Sequence, residues 1–194
     1  MIVATLAVAA LAWAAAVQQM HGMDMGTATT LGSFSFFAAV WVLMMVAMML
    51  PGAGPAVVSR AQADGMGGVL RFAGSYLGVW TLVGLAVDVA YRPHGETAAA
   101  AVIIAAAAYE VTPLKRTCRR RCQDRLRSGV QFGVYCVGSS IGLMAVLAAV
   151  GLMSVTWMAV IAVLISIQKV VRPTALLDVA LALGLLAFGL VVAV

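Results

Sequence analysis

The chain reads as a succession of apolar runs with its polar residues gathered between them. Crossing about 30 Å of hydrocarbon takes about 20 helical residues, and fewer in a buried, untilted span. On that measure the pattern predicts seven helices: Ile2–Val17, Phe34–Leu50, Phe72–Ala90, Thr97–Val111, Val130–Leu152, Val155–Val170 and Leu176–Val194. The fourth is short and alanine-rich, and its low side-chain volume predicts a central, tightly packed position. Pro51, Gly52, Gly54 and Pro55 follow the second run. Proline removes a backbone donor and clashes with the preceding turn, so this helix is expected to end or kink there. Gly74 with Gly78, and Gly138 with Gly142, form GxxxG pairs that let membrane helices approach closely.

Composition sharpens this into a fold class. The 194 residues are 64% hydrophobic and 10% charged, with a mean hydropathy of +1.07. A soluble domain averages about half apolar and about a quarter charged. The expectation is an all-α polytopic membrane helix bundle, a single domain over residues 1–194. The N-terminal run lacks the positive flank of a secretory signal and is kept as the first span. Orientation follows the Lys and Arg residues. Arg60 and Arg71 lie in the second connection, and Lys169 and Arg172 in the sixth. The fourth holds Lys115, Arg116, Arg119, Arg120, Arg121, Arg125 and Arg127. These connections open on one side if the spans alternate, which puts the N-terminus in the cytoplasm and the C-terminus outside. The net charge of +5 is thereby a topology signal, and no nucleic-acid partner is expected.

The candidate chemistry is soft. On a helix, Trp41, Met44, Met45, Met48 and Met49 fall within about 140° of one face, opposite Val, Leu and Ala. The methionines form two pairs at i, i+4, and thioethers favour Cu(I) over hard cations. The competing reading is that flexible methionines fill gaps between helices. The first external connection, Met20-His21-Gly22-Met23-Asp24-Met25, collects His21, Met23, Asp24 and Met25 as a second candidate ligand set, against the reading of a polar turn at the bilayer surface. His94 is the only other histidine, and two are too few for an imidazole-held di-iron or haem centre. On the cytoplasmic side, Cys118 and Cys122 stand at i, i+4 among arginines, which are expected to lower thiol pKa. Two thiolates suffice for linear Cu(I) but not for a closed tetrahedral zinc site. Cys136 is a candidate third ligand. The alternative there is an ordinary cation-rich loop with incidental cysteines.

Three carboxylates fall near helix ends, where burial in lipid is costly without a partner. Asp88 is expected to pair with Arg92, and Asp178 with Arg172 or Lys169. Glu110 leads directly into the cysteine pair. No Ser/His/Asp set, phosphate loop or paired carboxylates point to an enzyme.

These residues resemble the signatures of a bacterial domain-of-unknown-function family, the predicted metal-binding integral membrane proteins. Trp41…Met44…Ala47-Met48-Met49…Pro51 is similar to one signature, and Tyr109-Glu110-Val111-Thr112-Pro113-Leu114-Lys115…Cys118…Cys122 to a second. Gly133…Cys136-Val137-Gly138, Gly142-Leu143-Met144…Gly151…Met153…Trp157-Met158…Lys169 is similar to a third. Met23-Asp24-Met25-Gly26 resembles the loop preceding the methionine helix in such proteins. Ser139 and Ser140 stand where relatives often carry cysteines, and Gln168 where an acid commonly precedes the lysine. The resemblance implies a multi-span protein of the bacterial cytoplasmic (inner) membrane with a suspected metal site.

Two functional expectations follow. In the first, copper is collected by His21, Met23 and Met25, passes weak sites at Met44, Met45, Met48 and Met49, and is received by Cys118 and Cys122. In the second, the chain is an accessory subunit of a larger membrane complex, such as a copper enzyme. Lipid, other membrane subunits or a second copy are its expected partners.

Overall fold

The computed structural model describes residues 2–20, 33–91, 95–124, 128–151, 154–171 and 174–193. Among them seven α-helices follow one another: α1 (Ile2–Met20), α2 (Phe34–Ala90), α3 (Glu96–Glu110), α4 (Pro113–Gln123), α5 (Gly129–Gly151), α6 (Val155–Val170) and α7 (Ala175–Val192). The all-α expectation holds, but the set differs in two places. The second and third expected helices are the arms of α2, and the cation-rich connection is itself a helix, α4.

A straight helix as long as α2 would run about 85 Å, nearly three times the thickness of a hydrocarbon core. Its backbone leaves the helical region at Gly65, where φ is 64° and ψ is −161°, a combination open essentially to glycine. Contacts across this break run in opposite directions. Trp41 Nε1 donates to Trp80 O at 2.8 Å, and Tyr76 Oη to Met49 O at 3.4 Å. α2 is therefore a helical hairpin with arms 34–64 and 66–90. Of the end or kink expected at Pro51, the end does not occur, because the helix runs on through Pro51 and Pro55. A proline deletes one donor but leaves φ helical, whereas the positive φ of Gly65 redirects the chain. A Cβ at Gly65 would meet nothing within 4 Å, so Gly65→Ala should cost backbone strain alone, about 1–3 kcal/mol. The check is the thermal midpoint in detergent; a variant that melts with the parent contradicts the hairpin break.

The chain forms two compact units. The first holds α1, α2 and α5 up to Val137; the second holds α3, α4, α5 from Gly138, α6 and α7. In the first, α1 packs on α2. Thr5, Ala9, Ala12, Ala16 and Met20 make the buried stripe of α1, while Val3, Leu6 and Leu11 face outward. In the second, α3 packs on α7, where Gly189 lets Ile103 and Ile104 approach. Of the two GxxxG pairs, Gly138 and Gly142 lie under neighbouring side chains. A Cβ at Gly74 or Gly78 would meet nothing within 4 Å, so the close approach expected there is not used.

By length and composition, α1, α2, α5 and α7 qualify to cross a membrane, and α3 with α4, bent by 66° at a short break, would add a fifth span. Outward-facing leucines such as Leu82, Leu176, Leu183 and Leu190 suit hydrocarbon surroundings. α4 by itself carries five Lys and Arg among its 11 residues, too polar for the hydrocarbon.

Candidate soft-metal site

The first arm of α2 has one face turned inward. Trp41, Met44, Met45, Met48 and Met49 are all buried, and none of the four methionines is more than 2% exposed, whereas Val42, at the edge of this face, is 37% exposed. The 3.6-residue repeat brings side chains four apart to the same side, with Cβ atoms about 5–6 Å apart. Met44 stands over Met48, and Met45 over Met49. Gly84 makes room for the Trp41 indole, since a Cβ there would lie 2.4 Å from Nε1. That vacancy and the bond to Trp80 O hold the arm in register.

The same unit holds a buried thiol on α5. Cys136 of α5 is fully buried, and its Sγ lies 3.3 Å from Tyr76 Oη. The same hydroxyl reaches Met49 O. Tyr76 and Phe132 stack edge-on with centroids 5.3 Å apart, which fixes the ring. The candidate soft donors of this unit are thus four thioethers and Cys136, whose hydroxyl partner Tyr76 also bonds the backbone carbonyl of Met49. All are soft, and all are kept from water, as a Cu(I) site of this type requires. Sequence spacing had grouped Cys136 with Cys118 and Cys122. Its partnership with the methionine helix depends on α5 packing against the second arm, which no local pattern reveals.

Cys118 and Cys122 lie in the second unit, on α4. Thr112 Oγ1 accepts from Lys115 N at 3.3 Å and Pro113 occupies the first helical position, an ordinary helix start. The buried positions of this helix are Lys115 and Arg119, so two of its five cations point inward, while Arg120 and Arg121 are exposed. Glu110 Oε2 pairs with Lys115 Nζ and accepts from Gln168 Nε2 at 2.8 Å. Glu110 Oε1, also buried, has no hydrogen-bond partner among the described residues. Asp178 takes Arg119 at 2.9 Å and Arg116 at 3.1 Å, partners that its sequence proximity to Arg172 and Lys169 did not suggest. Arg119 also donates to Gln168 O at 2.6 Å and Val171 O at 2.8 Å. The network locks α4 to α3, α6 and α7.

Both cysteines of α4 are half-buried. Cys118 rests on the bare backbone of Gly138, where a Cβ would lie 2.6 Å from its Sγ, and Tyr109 Oη donates to Gly138 O at 2.6 Å. Burial pushes the Cys118 thiol up from its ordinary value, which corrects the lowering expected from its arginine neighbours. Arg116 and Arg119 are engaged by Asp178 and by carbonyls, Arg120 and Arg121 are exposed, and desolvation of the thiolate prevails. Alkylation of Cys118 should accordingly be slow at pH 7 and accelerate at higher pH than in the unfolded chain. Mass-spectrometric labelling across a pH series measures this; equal rates in folded and unfolded protein contradict it.

His21, Met23, Asp24 and Met25 lie outside the described residues, as do Arg92 and Arg172, so the outer ligand set and the Asp88–Arg92 pair receive no structural account. Among the described residues no three His, Cys, Asp or Glu side chains group as a metal site. The candidate centre therefore rests on thioether sulfur.

Neither curated proteins nor solved structures give a match to this chain. The model of one protein family, PpoB2, described as a copper chaperone, matches residues 38–192. That span takes in the methionine face, Cys118, Cys122, Cys136 and the buried ion pairs, and it agrees with the motif resemblance at the level of a metal-related, here copper-related, family. The chain belongs to the PpoB2 copper chaperone family.

Proposed function

We propose that this protein is an integral membrane protein, with seven spans and its N-terminus in the cytoplasm, that holds Cu(I) as cargo on the inward face of α2. Met44, Met45, Met48 and Met49 are its ligands, and Cys136 closes the end of the row. The observation that carries the reading is the burial of four thioethers on one helical face in a chain of a copper chaperone family. Thioethers in series bind copper weakly enough to release it, which a carrier or conduit needs and a closed thiolate site does not supply. His21, Met23, Asp24 and Met25 collect the ion on the outer side, and Cys118 with Cys122 takes it on the inner side. No catalytic step is assigned. Purified protein should retain Cu(I) against a weak chelator and lose it when the four methionines become leucine. Undiminished copper in that variant removes the reading.

In a second reading the chain serves a larger membrane complex by loading its copper, a role of the copper-chaperone kind that the family description names. The two readings separate on purification in mild detergent. A chaperone dedicated to one complex leaves the membrane with larger subunits, and a self-sufficient carrier leaves alone or as a second copy of itself.

A further inference from the structure

Every buried charged side chain among the described residues lies in the second unit: Glu110, Lys115, Arg119 and Asp178. The interior around the methionines, in the first unit, holds none. A cation drawn from water into such a setting is costly unless its charge is met there, and thioethers are neutral donors. The second arm of α2 supplies aromatic rings in place of a carboxylate. Phe72, Tyr76 and Trp80 recur four residues apart on its buried face, followed at the same spacing by Gly84. Two crossings set this face against the methionine arm. Trp80 O takes the Trp41 indole N–H, and Tyr76 Oη reaches Met49 O. Met44, Met45 and Met48 fall between these crossings on the first arm. A helical side chain leans toward the N-terminus of its own helix, so the Trp80 indole leans from the first crossing toward the second, along the stretch that the methionines occupy. One further feature sets this ring apart. A buried indole ordinarily finds an acceptor for its N–H, yet the fully buried Trp80 leaves Nε1 without a hydrogen-bond partner among the described residues. Its polar edge therefore does not account for its place in the interior, and its π face is left to do so.

We infer that Trp80 is a binding and specificity-determining residue of the methionine site, its π face meeting the single positive charge of the ion that Met44, Met45 and Met48 hold. The face of an aromatic ring attracts a cation, tryptophan most strongly, and the attraction grows where water is excluded. The same arrangement selects among ions. Neutral sulfurs and a ring face suit a soft ion of charge +1, whereas a divalent ion brings twice the charge into an interior with no carboxylate to answer it. The site thereby prefers Cu(I) to Zn(II). This deepens the proposed function and rests on the reading that the thioether face holds copper.

The test uses the full chain in a neutral detergent, with Trp80→Phe and Trp80→Leu beside the parent. Both changes keep the backbone carbonyl that holds Trp41, and thermal unfolding checks the fold. Competition against a Cu(I)-selective chelator should rank the parent first, Trp80→Phe second and Trp80→Leu last, about tenfold below the parent. A packing role would not predict the second measurement. Fluorinated tryptophan, incorporated throughout the chain, nearly keeps the shape of the ring but weakens its negative face. It should lower the Cu(I) affinity of the parent about threefold and leave that of Trp80→Phe unchanged. Zn(II) in excess should not displace Cu(I) from the parent. An affinity indifferent to fluorination overturns the inference, and so does a fluorination effect that persists in Trp80→Phe, which would assign the contact to another tryptophan. Displacement by Zn(II) overturns the selectivity. Copper lost from the four-leucine variant but insensitive to fluorination in the parent sinks the role of Trp80 alone; copper retained by the four-leucine variant sinks the thioether reading and this role with it.

Discussion

Replacing Met44, Met45, Met48 and Met49 together by leucine should lower Cu(I) affinity by more than the roughly 10–100-fold that loss of an outer-shell partner costs, because these are the ligands themselves. The fold should survive. Leucine and methionine are close in volume, and each such swap costs less than about 1.5 kcal/mol. All four sites are buried, so the replacements stay in an apolar setting and expose no new surface. Competition against a Cu(I)-selective chelator reads the affinity, and thermal unfolding reads the fold. Changing only Met44 and Met48, one of the two i, i+4 pairs, should leave measurable binding. Full affinity in the quadruple variant, with an unchanged melting curve, would reduce these methionines to packing.

Glu110→Gln should destabilise the protein by about 3–5 kcal/mol, the usual cost of stranding one member of a buried ion pair. Lys115 is only 1% exposed, and burial already holds its ammonium below the ordinary lysine pKa. Without the carboxylate that opposes this shift, the lowering deepens. A base whose folded pKa lies below its unfolded one carries fewer protons when folded. Stability of the variant should therefore rise as the pH climbs toward the ordinary lysine value and fall as it drops. Gln168 keeps an acceptor in the new side-chain carbonyl. Adding Lys115→Met removes the stranded charge, and the double variant should recover most of the loss, since replacing a buried pair by apolar groups is often near neutral. Urea or thermal unfolding of the two single variants and the double variant makes the comparison. Additive losses in the double variant would mean that the two groups do not act as a pair. Either outcome bears on Cys118, because the network that holds Lys115 and Arg119 also sets the seat of α4 beside Gly138.

Much of the helical content is legible without coordinates. The apolar runs at α3, α5, α6 and α7 carry their own periodicity, and their ends fall within a residue or two of the expected bounds. Pro51 does not end its helix, because a local donor loss is overruled when the second arm packs alongside and Tyr76 reaches Met49 O. α4 misleads for the opposite reason. A cation run is ordinarily solvated, and only the carboxylates of Glu110 and Asp178, brought in from α3 and α7, make an inward-facing arginine affordable.

By itself, the order of residues determined an all-helical, lipid-compatible chain and placed four sulfurs along one face of one helix, because both properties depend on local spacing and transfer energy. Tertiary structure alone decided that this face is buried, that Cys136 stands beside Tyr76, and that Asp178 holds two arginines of α4. Each of these joins residues far apart in the chain. Such pairings follow from how helices close on one another, and a linear pattern carries no record of that closure.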